Sequence, residues 1–203
     1  MNKLNQFFAA ALLGSVGVAH ATVIDFNSAP DQYFIPSYSE AGFVMTLAHA
    51  DGLGTLLGND GYWTGNGTSH LMSWSNVGEV SGFVLARQDG EKFSLSAFEF
   101  GNGYVAGNNN PVSFVITGTT GTGDTVTATI DHSSLGAYTH TFGSGWGNLS
   151  SVNFAAYGFN NRATYDNIVV GAPTAVPEPA AIALMLGGVA VVGLARARKS
   201  KAA

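Results

Sequence analysis

The chain has 203 residues, 46% of them hydrophobic, 10% charged and none cysteine, with a formal net charge of −5. That length suits one domain plus appendages. Missing thiols exclude a disulfide scaffold, a thiolate metal site and a cysteine nucleophile, and net acidity excludes the basic footprint of a nucleic-acid binder.

The charges are unevenly spread. Between residues 22 and 176 only Arg87, Lys92 and Arg162 are basic, against twelve acids, a net charge of −9 for that stretch. The remaining five basic residues, Lys3, Arg196, Arg198, Lys199 and Lys201, flank two apolar ends. An acidic module lies between them.

Residues 1–21 have the layout of a secretory signal peptide. Lys3 supplies the positive start, Phe7 to Ala19 is an unbroken apolar or small-residue run, and Ala19-His20-Ala21 gives the small-x-small pattern that signal peptidase cuts. Cleavage is expected after Ala21, leaving Thr22 as the first residue. Export also makes the lack of cysteine independent of a reducing cytosol.

From 22 to 172 the pattern is β. No stretch sustains the i, i+3, i+4, i+7 spacing of an amphipathic helix, whereas alternation is plentiful. Val112, Phe114 and Ile116 alternate with polar or smaller neighbours, as do Val126, Ala128 and Ile130, and Val152, Phe154 and Ala156. Further strands are expected at 22–27, 42–48, 80–87, 93–100 and 164–170. In 93–100 the phase slips, Phe93 and Leu95 facing one way and Phe98 and Phe100 the other, which a β-bulge near Ala97 accounts for. Gly121-Thr122-Gly123-Asp124 is turn material, so 112–119 and 123–131 form a hairpin. Many short strands at this spacing imply a sandwich or barrel.

Three segments, Val23-Ile24-Asp25-Phe26, Tyr38-Ser39-Glu40-Ala41-Gly42-Phe43 and Tyr165-Asp166-Asn167-Ile168-Val169-Val170, give the module a resemblance to jelly-roll antiparallel β-sandwiches. Similar modules include carbohydrate-binding domains, which often carry a structural Ca²⁺ near their terminal strands. A hard cation takes six to eight oxygens, and the candidates for calcium are Asp25, Glu40 and Asp166, partly on this resemblance. Asp166 shares a strand face with Ile168 and Val170, an unusual place for an unpaired carboxylate. The opposite face, Tyr165 and Val169, is an equally open inner face.

A sugar site needs aromatic platforms beside amides and carboxylates. The segment Asn59-Asp60-Gly61-Tyr62-Trp63-Thr64-Gly65-Asn66 has that composition, which makes Tyr62, Trp63 and Asn66 the candidate ligand-binding residues. Trp74, Tyr104 and Trp146 also lie in or beside Gly-rich segments, Trp74 being more readily accommodated in the core. Twelve acids make some pair of neighbouring carboxyls statistically expected, so the residue types alone do not imply a glycosidase. No H-E-x-x-H, G-x-S-x-G or P-loop pattern occurs. His49, His70, His132 and His140 lack ligand-like spacing, although His132 and His140 are placed to meet across a hairpin.

The C-terminal end, 173–203, has three parts in order: Pro177-Glu178-Pro179, an uncharged run at 180–195, and the basic cluster Arg196, Arg198, Lys199 and Lys201. The prolines prevent the helix continuing inward. As a helix the run covers about 24 Å, marginal for a ~30 Å hydrocarbon core, and the basic cluster stays cytoplasmic. This arrangement resembles the PEP-CTERM sorting domain of exopolysaccharide-making Gram-negative bacteria. The resemblance implies recognition at Pro177, Glu178 and Pro179 by an exosortase-type membrane protease, with this chain as substrate. It implies passage through the inner membrane, held by the C-terminal helix before processing, to the cell surface or extracellular matrix. The expected protein is an exported, non-catalytic β-sandwich. The alternatives are a carbohydrate-binding module acting on exopolysaccharide, or a polysaccharide-active glycosidase or lyase.

Overall fold

The computed structural model describes residues 21–48, 54–58, 66–75, 80–102, 111–133, 136–158 and 162–173. The expected signal peptide apart from Ala21, the sorting segment from Pro177 onward with its apolar run, and Tyr62, Trp63 and Tyr104 lie outside these residues.

In chain order the strands are β1 (Thr22–Ile24), β2 (Gln32–Tyr33), β3 (Ser37–Glu40), β4 (Phe43–Leu47), β5 (Gly54–Gly58), β6 (His70–Trp74), β7 (Ser81–Arg87), β8 (Ser94–Asn102), β9 (Val112–Thr120), β10 (Thr125–His132), β11 (Gly136–Thr141), β12 (Leu149–Tyr157) and β13 (Arg162–Gly171). A 3-10 turn at Ser144–Trp146 precedes β12, so Gly143-Ser144-Gly145-Trp146-Gly147 leads into a strand, not into the helix a nucleophile elbow requires.

One sheet runs β11-β8-β13-β6-β5-β2, with β1 also on β13, and the other runs β10-β9-β12-β7-β4-β3. The pairings among the described strands are antiparallel. From β6 onward the chain crosses between sheets so that β6-β13-β8-β11 lies against β7-β12-β9-β10. That is the jelly-roll order of two Greek keys, and the fold is an all-β jelly-roll sandwich. Strands β1 to β5 extend the two sheets.

The core lies between the sheets. Phe154 and Phe83 of one sheet stack at 4.8 Å, and Tyr165 of the other meets Phe83 edge-on at 4.9 Å. Phe98 packs on Phe154 and Phe100 on Phe114 across the same gap. Such rings combine large apolar burial with favourable edge-to-face geometry.

The bulge expected near Ala97 is present. Between β13 and β8 the register runs Asp166 to Glu99, Val169 to Ala97 and Val170 to Leu95, so β8 carries an extra residue at Ser96. Phe93, Leu95, Phe98 and Phe100 are consequently all buried. The same register shows that β13 carries an extra residue between Asp166 and Val169. Asn167 takes up the left-handed backbone there, with φ 45°, as asparagine does more readily than most residues. The two candidate inner faces of β13 are therefore both used: Tyr165 before the bulge, Ile168 and Val170 after it. Asp166 and Asn167 turn outward together.

Five strands, β2, β3, β5, β6 and β11, were not among those expected. β6 shows why: His70, Leu71, Met72 and Ser73 are all buried, so both faces are covered and no alternation marks the strand.

Gly82 sets the spacing of β7 on β12. At φ +150° a Cβ there would sit 1.8 Å from the Phe154 carbonyl oxygen. Gly82→Ala is expected to lower stability by more than about 2 kcal/mol through backbone displacement; an unchanged denaturation midpoint would contradict this close approach.

Candidate functional site

The outer face of the first sheet holds an unusual concentration of polar groups. Alternation from Leu71 and Tyr165, whose rows face the core, places His70, Met72, Trp74, Thr164 and Asp166 on the far side. Yet His70, Met72, Thr164 and Asp166 are each at most 5% exposed.

Asp166 is directly opposite Glu99 in register, an arrangement of like charges that ordinarily destabilises a sheet. Donors from a single turn and from the bulge offset it. Asn66 Nδ2 donates to Glu99 Oε2 at 2.5 Å and to Asp166 Oδ2 at 2.9 Å. Thr68 Oγ1 donates to Asp166 Oδ2 at 2.6 Å and also lies against Asn66 Oδ1. Asn167 donates its backbone N–H to Asp166 Oδ1 at 2.7 Å and its side-chain amide to Glu99 Oε2 at 2.9 Å. The turn is closed by the Thr68 N–H donating to Asn66 Oδ1 at 3.0 Å, the local bonding that makes Asn-Gly-Thr good turn material. Burial pushes the Asp166 carboxyl above its usual value and the Glu99 charge adds to that, while the Thr68, Asn167 and Asn66 donors work against it.

His70 closes the group. Its Nδ1 lies 3.2 Å from the Thr68 carbonyl oxygen, and its buried Nε2 has no hydrogen-bond partner among the described residues. A cavity of about 10 Å³ lies among Asn66, His70, Glu99, Thr164 and Asp166, room for about one water molecule.

A second polar group joins β1 to β3. Phe26, at φ 56°, donates its backbone N–H to Glu40 Oε2 at 3.1 Å, and the Tyr38 hydroxyl donates to the same oxygen at 3.1 Å. Asp25 accepts from the Asn27 N–H at 3.1 Å. Burial raises the Glu40 carboxyl, while the Asn27 backbone bond lowers Asp25. Glu40 thus ties down a strained backbone position whose ring is buried against Tyr38 at 5.5 Å.

The three carboxylates singled out for calcium do not form one ligand set. Asp25 and Glu40 come together, whereas the β13 bulge turns Asp166 to the outer face, where Thr68, Asn66 and Asn167 occupy its oxygens. No three His, Cys, Asp or Glu side chains among the described residues are arranged to hold a metal. Asn66, expected at a sugar, is committed to the two carboxylates. His132 and His140 fall on strands of different sheets and pack on separate rings, His132 on Tyr138 at 4.5 Å and His140 on Phe142 at 4.8 Å. Trp146 is buried against Phe142. Trp74 lies outside the core, edge-on to Phe34 at 5.8 Å. Phe34 is 69% exposed and Tyr33 57%, and Phe34 holds a left-handed φ of 58°, a costly conformation for a bulky residue. Glu99, Thr68 and Asn167 were not anticipated; Glu99 sits between two core phenylalanines and reads as an ordinary outward residue until register sets it against Asp166.

A larger cavity, of about 500 Å³, is lined by Thr22, Phe43, Arg87, Gln88, Asp89 and Gly171. Its guanidinium is engaged twice by Asp89, at 2.9 and 2.5 Å, and lies 6.0 Å from the Phe43 ring. It contains none of the candidate site residues.

Residues 175–199 match the family model of the PEP-CTERM protein-sorting motif. The chain carries a PEP-CTERM sorting motif. That motif marks an exported protein sorted through an exosortase, and the PEP-CTERM match agrees with the residues that carried the resemblance. No curated protein matches the chain significantly. Among solved structures, an exo-β-agarase is similar at 13% identity and TM-score 0.42, over 76% of this chain and 26% of that one. The family 11 carbohydrate-binding module from Clostridium thermocellum is similar at 15% identity and TM-score 0.40, over 69% and 94%. The xylan-binding domain from Paenibacillus barcinonensis is similar at 12% identity and TM-score 0.37, over 78% and 95%. This chain therefore spans about a quarter of the agarase chain.

The Asp166 carboxyl predicts a pH dependence. Its folded value is raised, so its contribution to stability is fully present below the ordinary aspartate value and is lost as pH rises through the folded one. Relative to wild type, Asp166→Asn should therefore gain stability as pH rises from the ordinary aspartate value of about 4 through the raised folded one. A difference that stays constant with pH would contradict this. Thr68→Val removes a donor to the buried carboxylate and should cost about 1–3 kcal/mol at neutral pH, less in acid.

Proposed function

We propose that the protein is exported, cut by signal peptidase after Ala21, held briefly in the inner membrane by 180–195, and processed at Pro177-Glu178-Pro179 by an exosortase-type protease. The sandwich then works without catalysis at the cell surface or in the extracellular matrix of a Gram-negative bacterium. The PEP-CTERM match at 175–199 carries this reading. The acidic, cysteine-free composition of 22–176 supports it, being suited to a solvent-exposed module outside the cell.

A non-catalytic role is supported by the carboxyl pair that comes nearest to enzyme-like geometry. Asp166 and Glu99 share one amide donor, Asp166 is buried, and the cavity beside them, about 10 Å³, is far too small for a sugar. A glycosidic bond needs two carboxyls on either side of an accessible sugar.

Replacing Glu178 by Ala should leave the protein membrane-bound with its tail uncut and should remove it from the surface. Processing and display that are unaffected would contradict the sorting reading.

Carbohydrate binding is a second reading, favoured by Tyr33, Phe34 and Trp74. The exposed rings of Tyr33 and Phe34, with Trp74 packed on Phe34, offer stacking platforms for the apolar face of a pyranose, with Tyr62 and Trp63 as further candidates. On this reading Phe34→Ala, Trp74→Ala or Trp63→Ala each weakens capture by exopolysaccharide about tenfold, ~1.4 kcal/mol. Equal capture by the variants and the parent would set this reading aside.

A further inference from the structure

β10 is a full-length edge strand whose one charged residue is Asp131, near its end. Its eight residues pair with β9 in continuous register from Thr125–Thr119 to His132–Val112, and among the described strands nothing pairs on its other side. Natural edges are blunted by shortness, proline, charged side chains (lysine above all) or bulges. β10 has no proline, no lysine and no register shift. The other described edges differ: β1 has three residues and β2 two, β3 has four, begins just after Pro36 and is followed by the left-handed Ala41, and β11 opens on Gly136 at φ +121°.

The edge also has a distinctive charge. Residues 100–161 contain two acids, Asp124 and Asp131, and no Lys or Arg, inside a stretch whose net charge is −9. Two copies of so acidic a module repel one another almost everywhere, and like charges directly opposite destabilise strand pairs. Asp124 and Asp131 bracket an uncharged run in β10, Thr125 to Ile130, which two copies can bring together without opposing like charges. Thr125, Thr127 and Thr129 are exposed on its outer face, while Val126, Ala128 and Ile130 are half-buried on the inner one.

We propose that β10 pairs antiparallel with β10 of a second copy of this chain, joining two six-stranded sheets edge to edge. The pairing is self-complementary. Directly opposite residues must point to the same face, so outward threonines meet outward threonines and the apolar row meets the apolar row. With Ala128 on the two-fold axis, Thr127 faces Thr129 of the second copy and Asp131 faces Thr125. The single acid of the strand then avoids its counterpart. Thr–Thr pairs are favourable cross-strand partners, and a two-fold contact closes on itself without forming fibres.

The absence of native cysteine makes a direct test possible. The full chain carrying Thr127→Cys with Thr129→Cys is expressed with export and gently oxidised. On one face of an extended strand their Cβ atoms lie about 6.6 Å apart, well beyond the ~3.5–4.5 Å that a disulfide within the chain would need. Both side chains are exposed, so the substitutions leave the core alone. Disulfide-linked dimer should form at least about tenfold more than for Thr117→Cys with Thr119→Cys, which lie one strand inward on the same face. No dimer, equal dimer from both pairs, or a mixed disulfide with another protein in place of the dimer would overturn the proposal.

Discussion

Two β-bulges, at Ser96 in β8 and at Asp166–Asn167 in β13, decide which side chains reach the core. Each inserts one residue into a strand of the same central pair and resets its alternation. In β8 this lets Leu95 and Phe98 both point inward, and in β13 it does so for Tyr165 and Ile168. Without the β13 bulge, either Tyr165 or the pair Ile168 and Val170 would lie outside, and the ring cluster around Phe83, Phe114 and Phe154 would lose a wall. The second bulge restores the register that the first one breaks.

The same bulge creates the polar group on the outer face. Turning Asp166 and Asn167 outward together sets a buried carboxylate against Glu99, and the donors come from the neighbouring Asn66-Gly67-Thr68 turn and from Asn167 itself. Burial and like charge disfavour the ionised form, while charge-assisted hydrogen bonds favour it. The group is therefore sensitive to protonation and well anchored.

Much of this architecture is visible in the amino-acid order, and the exceptions have physical causes. The β8 bulge can be seen because four large apolar residues fall in two phases. The β13 bulge is harder, since Tyr165 with Val169 and Ile168 with Val170 look like rival faces, and one strand uses parts of both. β6 is covered on two sides and shows no alternation. Asp25, Glu40 and Asp166 look alike as carboxylates near chain ends; only the turn of the backbone separates Asp166 from the other two. Glu99 enters the site through cross-strand register, which a single segment does not contain. The sorting motif at 175–199 is the reverse case, legible because charge, length and proline placement act locally.

On the proposed reading, the net charge of −5 belongs to a precursor. Removing the two apolar, basic-flanked ends leaves an acidic sandwich with three basic residues between positions 22 and 176. Charge of that sign keeps copies apart at long range, so contacts of the module with its surroundings fall to features such as the uncharged run Thr125 to Ile130 of the β10 edge and the rings of Tyr33, Phe34 and Trp74. The most direct measurement is the intact mass of the protein recovered from outside the cell. The account predicts an N-terminus at Thr22 and a C-terminus that lacks the apolar run and basic cluster. Recovery of the whole 20.9 kDa chain, with both ends retained, would contradict it.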